Sequence, residues 1–261
     1  MGLPIFQSEQ VLVFTLVFLR IGAMLVMIPV LGEQSVPVRV KGGLAILVSL
    51  LVLPVVRVEI PPILTEAGVF SILFAMAGEV FIGVIIGFAA KIVFAGIQFA
   101  GEMIGIQMGF SIVTVLDPLS STQTSIMAEF QYLIALLVYL AVDAHHIFIF
   151  AIADSYRTIA PLGFHLSGSL VQSMMMFSSG LFVTAVKISA PVMAVLLFTN
   201  VALGIIARTV PQINIFIVGF PLQIAAGLTV FGLTAPLFVK LIQRAIVSLN
   251  AEIYTLLRLM G

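Results

Sequence analysis

Apolar residues run along this chain in long stretches, and the polar positions fall in short clusters between them. The stretches cover about residues 9–30, 38–56, 125–153, 169–207 and 213–256, and one very long run begins near Thr65 and meets no proline until Pro118. Each exceeds the length of a strand, so the pattern predicts helices throughout. Pro29 and the polar segment from Gly32 to Pro37 end the first. Pro54, Arg57, Glu59 and the Pro61-Pro62 pair end the second. The third, drawn as one helix, would be on the order of 60–70 Å long, about twice a bilayer core. It is expected to break, tilt or leave the membrane, with Gly96, Gly101 and Gly105 as break points. The fourth is read as one helix that ends before Pro161. No soluble domain or linker interrupts the pattern, so residues 1–261 read as a single domain of all-α class, an integral membrane protein of helical hairpins with long broken helices.

Composition fixes the solvent. The chain is 62% hydrophobic and 8% charged, with a mean hydropathy of +1.29, whereas soluble domains carry roughly 25% charged residues. A soluble fold of this size could not hide that much apolar surface. Net charge is zero and no basic block exists, which argues against nucleic acid as a partner. There is no cysteine, so thiol catalysis and disulfides are excluded. The first residues show no basic region or small-residue cleavage site, and Phe6 argues against myristoylation at Gly2. Trp is absent and Tyr numbers 4; such a thin aromatic belt hints that some apolar faces meet protein rather than lipid. Lys and Arg in the short loops show no alternation, so the positive-inside bias assigns no orientation.

Polar chemistry inside the apolar runs is sparse enough to read residue by residue. Arg20, Glu79, Lys91, Glu102, Glu129, Lys187 and Arg208 are embedded charges. Charges in an apolar solvent find partners, so these read as ion pairs that fix helix register, within the chain or against a neighbouring subunit. No ladder of carboxylates supports a proton path. Glycines recur at four-residue spacing in Gly83-Val-Ile-Ile-Gly87 and in Gly101-Glu-Met-Ile-Gly105-Ile-Gln-Met-Gly109, which lets another backbone approach closely. The bland reading is tight packing; the sharper one is a subunit interface. Met174-Met175-Met176-Phe177 reads as a helix start with core methionines.

Asp143-Ala-His145-His146 could supply zinc ligands, but adjacent histidines on a helix point about 100° apart and a catalytic zinc needs a third firm ligand. The segment reads as a polar helix end, with no metal, cofactor or catalytic residue expected. No phosphate-binding loop and no Ser nucleophile setting is present, so no enzyme is expected. Two irregular segments stand apart. Gly109-Phe110-Ser111-Ile112-Val113-Thr114-Val115-Leu116-Asp117-Pro118 mixes β-branched, small and turn-forming residues and reads as an ordered loop. At membrane depth it must be wrapped by protein or line a cavity. Arg208-Thr-Val-Pro211-Gln212-Ile-Asn214 reads as a bend between two helices, where Pro211 breaks the ladder and Arg208, Gln212 and Asn214 are satisfied by neighbouring chain or subunits.

These residues, taken in order, resemble the FliR/SctT family of type III export-gate subunits. The carriers are Arg20-Ile-Gly22 with Pro29 and Val36-Pro37; Gly87-Phe88 through Glu102 and Gln107-Met-Gly109-Phe110; Asp117-Pro118; Asp143-Ala-His-His146; Pro191-Val-Met193; and Ala207-Arg208 with Pro211-Gln212-Ile-Asn214-Ile-Phe216 and Gly219-Phe-Pro221. Ala144 stands where the family has Gly. The resemblance implies a subunit that joins FliP and FliQ, with an FlhB-type component nearby, in a bacterial inner-membrane gate of the flagellar basal body. That gate passes unfolded flagellar subunits, driven by energy supplied elsewhere, and residues 109–118 match a loop that helps close it. It also implies that apolar faces bury against partner subunits rather than lipid. The equivalent subunit of a virulence injectisome shares this fold and role. A stand-alone secondary transporter, with Arg208, Glu102 and Lys187 in a substrate path, is the reading of a different class; it predicts transport by this polypeptide alone in liposomes.

Overall fold

The computed structural model describes residues 8–33, 35–54, 69–110, 125–160, 163–212 and 214–261. Among them the chain is helical, without strands: α1 Ser8–Met27, α2 Val38–Val52, α3 Val69–Gln107, α4 Ile126–Ala141, α5 His145–Thr158, α6 Gly168–Thr209 and α7 Ile215–Met260. Four of these, α1, α3, α6 and α7, are long and apolar enough to cross a membrane.

Local chemistry explains the boundaries. After α1 the chain turns at Pro29 and Val30, whose φ of 72° is unusual for a β-branched residue. The turn is closed by the Gly32 N–H to the Ile28 carbonyl at 2.8 Å and by Lys41 Nζ donating to the Gly32 carbonyl at 2.9 Å. Pro37, with φ −58°, pre-sets the start of α2, and its carbonyl accepts the Val40 N–H at 2.9 Å.

Two expectations are overturned here. The third run does not break at Gly96, Gly101 or Gly105: α3 is a continuous helix of 39 residues. Glycine costs a helix interior about 1 kcal/mol relative to Ala, and close packing against neighbouring helices, described below, offsets that. The fourth run is not one helix. It divides at residues 142–144, where Asp143 adopts φ 53°. Asp is one of the few residues with a side chain that visits the left-handed region readily, so a single residue ends α4 and lets α5 start at His145. Within α6 and α7, Pro191, Pro221 and Pro236 sit inside continuous helix; membrane-type helices tolerate this because neighbouring groups re-satisfy the freed carbonyls.

The chain divides into two compact units. Unit 1 comprises residues 1–92, 143–177 and 246–261. Its interior is built from Leu16, Val17, Ile21 and Met24 of α1, Ile82, Ile86 and Ala89 of α3, and Phe148, Ala151 and Ile152 of α5, together with a stripe of α7 at Leu249, Ile253, Leu257 and Met260. That stripe repeats every three or four residues, the period of one helix face. Unit 2 comprises residues 93–142 and 178–245. Phe94 forms its centre, edge-on to Tyr132 and Tyr139 of α4 at 5.6 and 5.7 Å. Ile97, Ile104 and Met108 of α3, Ala128 and Ala135 of α4, and Leu196 and Ile242 complete it.

Candidate functional site

A buried guanidinium anchors unit 1. Arg20 of α1 is wholly buried and forks onto Glu79 of α3, with Nε to Oε2 at 2.5 Å and Nη2 to Oε1 at 3.0 Å. Nη1 donates to Ser155 Oγ at 2.8 Å and Nη2 to the Ile159 carbonyl at 3.4 Å. The ring of Tyr156 lies 3.9 Å from the guanidinium carbon, a cation–π contact. One side chain thus ties α1, α3 and α5 together. Arg suits this task because its planar donors match a carboxylate in two parallel bonds and still have donors left over. Arg20 and Glu79, expected as embedded charges, therefore find each other inside the chain. Ser155 and Tyr156 were not singled out from sequence; a scan for hydroxyl groups as well as charges in the apolar runs would have found them.

The glycine faces are also consumed within the chain. A Cβ on Gly83 would collide with the Arg20 carbonyl, and one on Gly87 with Met27 Cβ and, at 3.0 Å, the Met24 carbonyl. Further along α3, a Cβ on Gly101 would lie 2.5 Å from Ala128 Cα, and one on Gly105 would meet Ser125 Oγ. The first pair seats α1 and the second pair seats α4, so the close approach serves packing inside each unit.

The end of α3 carries the start of the irregular segment. Gly109 has φ +85°. Its N–H bonds the Ile106 carbonyl at 3.1 Å and the Phe110 N–H reaches the Gly105 carbonyl at 3.0 Å, the paired bonds of a Schellman stop. Gly109 is pressed from the side as well: a Cβ there would lie 2.5 Å from Phe220 Cδ1 of α7. Met108 is buried beneath Gly227 of α7, at 2.8 Å from the position of a Cβ. Close by, Gln223 of α7 donates to the Asn200 side chain of α6. Asn200 and Gln223 are not singled out by the sequence reading; the signal for each is an amide within a long apolar run. Ser111, Ile112, Val113, Thr114, Val115, Leu116, Asp117 and Pro118 of the expected loop lie outside the described residues.

The other embedded charges face outward. Lys91, Glu102, Glu129, Lys187 and Arg208 are exposed, and Lys91, Glu102, Lys187 and Arg208 make no ion pair or hydrogen bond among the described residues. Apolar side chains on the same helices are also uncovered: on α6, beside Lys187 and Arg208, Phe182 is 57% exposed and Phe198 72%, and on α3, which carries Lys91 and Glu102, Ile106 is 62% exposed. Met175 and Met176, expected in the core, are 69% and 70% exposed, because they lie on this same outer side of α6. Pro211 and Gln212 form the turn between α6 and α7, and the Asn214 carbonyl receives the Ile217 N–H at 3.1 Å as α7 begins. The site is thus an internal frame, a clamped loop origin and an outer surface whose charges and apolar groups have no cover among the described residues.

Residues 11–249 match a family model described as bacterial export proteins, family 1. The chain is 34% identical over 220 residues to the flagellar biosynthetic protein FliR of Pectobacterium carotovorum subsp. carotovorum, covering 84% of this chain and 83% of that one. It is 31% identical over 239 residues to the protein of the same name from Escherichia coli (strain K12), covering 92% and 88%. Its identity to that of Bacillus subtilis (strain 168) is 38% over 217 residues, 82% of each chain.

Proposed function

The chain belongs to the bacterial export proteins, family 1, and from that membership we propose that it is a structural and gating subunit of the flagellar type III protein export gate in the bacterial inner membrane. As a component of the flagellar export apparatus it has a role that needs no catalytic residue in this chain. FliP and FliQ are its companions in this reading, with an FlhB-type component, and unfolded flagellar subunits are the cargo. The names of the relatives favour the flagellar system over an injectisome.

The observation that carries the reading is the exposed apolar surface of α6 and α3 with its charges Lys187, Arg208, Lys91 and Glu102, which have no partner among the described residues. A lipid-facing surface would not place Lys187 and Glu102 among exposed Phe and Val residues without partners, because isolated charges in an apolar medium cost several kcal/mol. A protein partner supplies counter-charges and covers the apolar area together. Glu102→Ala or Arg208→Ala is therefore expected to lower the amount of FliP and FliQ that co-purifies with the chain, by leaving the partner's charge buried and alone. Normal complex yield with both variants would count against the interface.

The gating part rests on the segment that starts at Gly109. Its origin is fixed by the Schellman stop and by Phe220, which suits a loop that must hold one place. Deleting residues 112–116 is expected to make cells with assembled but idle gates leak small ions or dyes. Unchanged permeability, with the complex still assembled, would sink the gating role while leaving the structural one standing.

A further inference from the structure

We propose that Asp143, His145 and His146 form a binding site for a first-row divalent cation, with zinc as the ion their chemistry suits best. No step of the export reading uses these residues. In sequence the two histidines point apart along a helix. In the fold both belong to the first turn of α5, yet their rings approach, and Asp143, turned back at φ 53°, lies just before them. The His146 N–H bonds the Asp143 carbonyl at 3.0 Å and the Ile147 N–H bonds the Ala144 carbonyl at 3.1 Å, so all three side chains project from one hydrogen-bonded turn. Their ligand atoms lie within 4.8 Å of one another, and the two imidazole centroids are 4.3 Å apart with the rings tilted by 43°.

Tetrahedral zinc holds its N and O ligands at about 2.0–2.2 Å, which places neighbouring ligand atoms about 3.4 Å apart. Small side-chain rotations close the present spacing to that value. A second observation points to a ligand. His145 Nδ1 is buried and has no hydrogen-bond partner among the described residues, and an orphaned buried polar atom costs about 1–3 kcal/mol. A neutral imidazole can offer that nitrogen as a lone pair. Asp143 and His146 are exposed, so an ion can reach the cluster from solvent. Two imidazoles and a carboxylate select zinc-like ions over magnesium or calcium, which prefer all-oxygen shells. Three protein ligands leave a fourth position for water or a group from a neighbouring chain. A bound ion would pin the left-handed Asp143 to the first two residues of α5.

The test uses the full-length chain, purified in detergent with a tag that contains no histidine. Titration with Co²⁺, read by visible absorption, is expected to show a saturable tetrahedral-type band that Zn²⁺ abolishes. Loss of an outer-shell partner alone weakens metal sites by about 10–100-fold, so His146→Ala and Asp143→Asn, which remove ligands, should each weaken binding by at least about tenfold. His165→Ala should leave it unchanged. Both ligand positions are exposed, and melting of the metal-free proteins checks that the variants fold. A wild-type chain with no such band, or folded ligand variants that bind as tightly as wild type, would overturn the site.

Discussion

Glu79→Ala is expected to be among the most damaging single substitutions in this chain. It leaves the Arg20 guanidinium wholly buried in unit 1 with Ser155 Oγ, the Ile159 carbonyl and the Tyr156 ring but no counter-charge. Removing one partner of a buried ion pair costs about 3–5 kcal/mol, a large share of the 5–15 kcal/mol that holds a typical domain. Arg20→Leu should be comparably severe, since it strands the Glu79 carboxylate at 1% exposure. The double variant Arg20→Leu with Glu79→Leu should be milder than either single change, because a buried pair exchanged for apolar residues is often neutral. The residual deficit falls on Ser155 Oγ, which keeps its own bond to the Ile152 carbonyl at 2.7 Å. Thermal denaturation of the detergent-solubilised chain reads this ordering. A double variant as unstable as the sum of the singles would show that the pair is not the source of the effect.

That pair also shows what a sequence of this kind discloses. Arg20 and Glu79 stand 59 positions apart, yet each was identifiable alone, because an embedded charge in an apolar run demands a partner. Which charge partners which was not legible: Lys91 lies on the same helix as Glu79 and nearer in sequence, but is exposed. Pairing depends on how α1 seats against α3, and that is set by Gly83 and Gly87, whose missing side chains admit the backbone of α1. The glycine spacing announced a close approach without naming the helix that makes it. Helix ends marked by proline were legible, as at Pro29 and Pro37. At Asp143 the polar residues marked a helix end, as the structure has it; that the apolar run divides there was not legible, because a left-handed Asp leaves no periodicity change in the pattern around it. The same turn places Asp143 beside His145 and His146, a proximity that the apolar pattern does not announce.

Gly109→Ala is the second substitution with a large expected effect, and it probes the loop through its origin rather than its tip. Two independent costs meet there. A left-handed conformation costs a residue with a Cβ about 1–2 kcal/mol, and Gly109 holds φ +85°. The new methyl would also lie 2.5 Å from Phe220 Cδ1, and overpacking of this kind typically costs about 1–3 kcal/mol. Together they amount to about 2–5 kcal/mol, enough to unwind the turn in which the Phe110 N–H bonds the Gly105 carbonyl. The two costs separate in a double-mutant cycle. Adding Phe220→Ala should remove the steric part and leave the backbone part, so Gly109→Ala should cost less in that background than in wild type. Melting temperature reads the energies, and dye entry into cells reads the gate. If the loop closes the channel from a fixed origin, leakage should track the loss of the turn and fall again in the double variant. A Gly109→Ala chain that melts as wild type, or whose penalty is the same with and without the Phe220 ring, would refute the clamp at the base of α3 and leave the loop's position to be set by contacts beyond it.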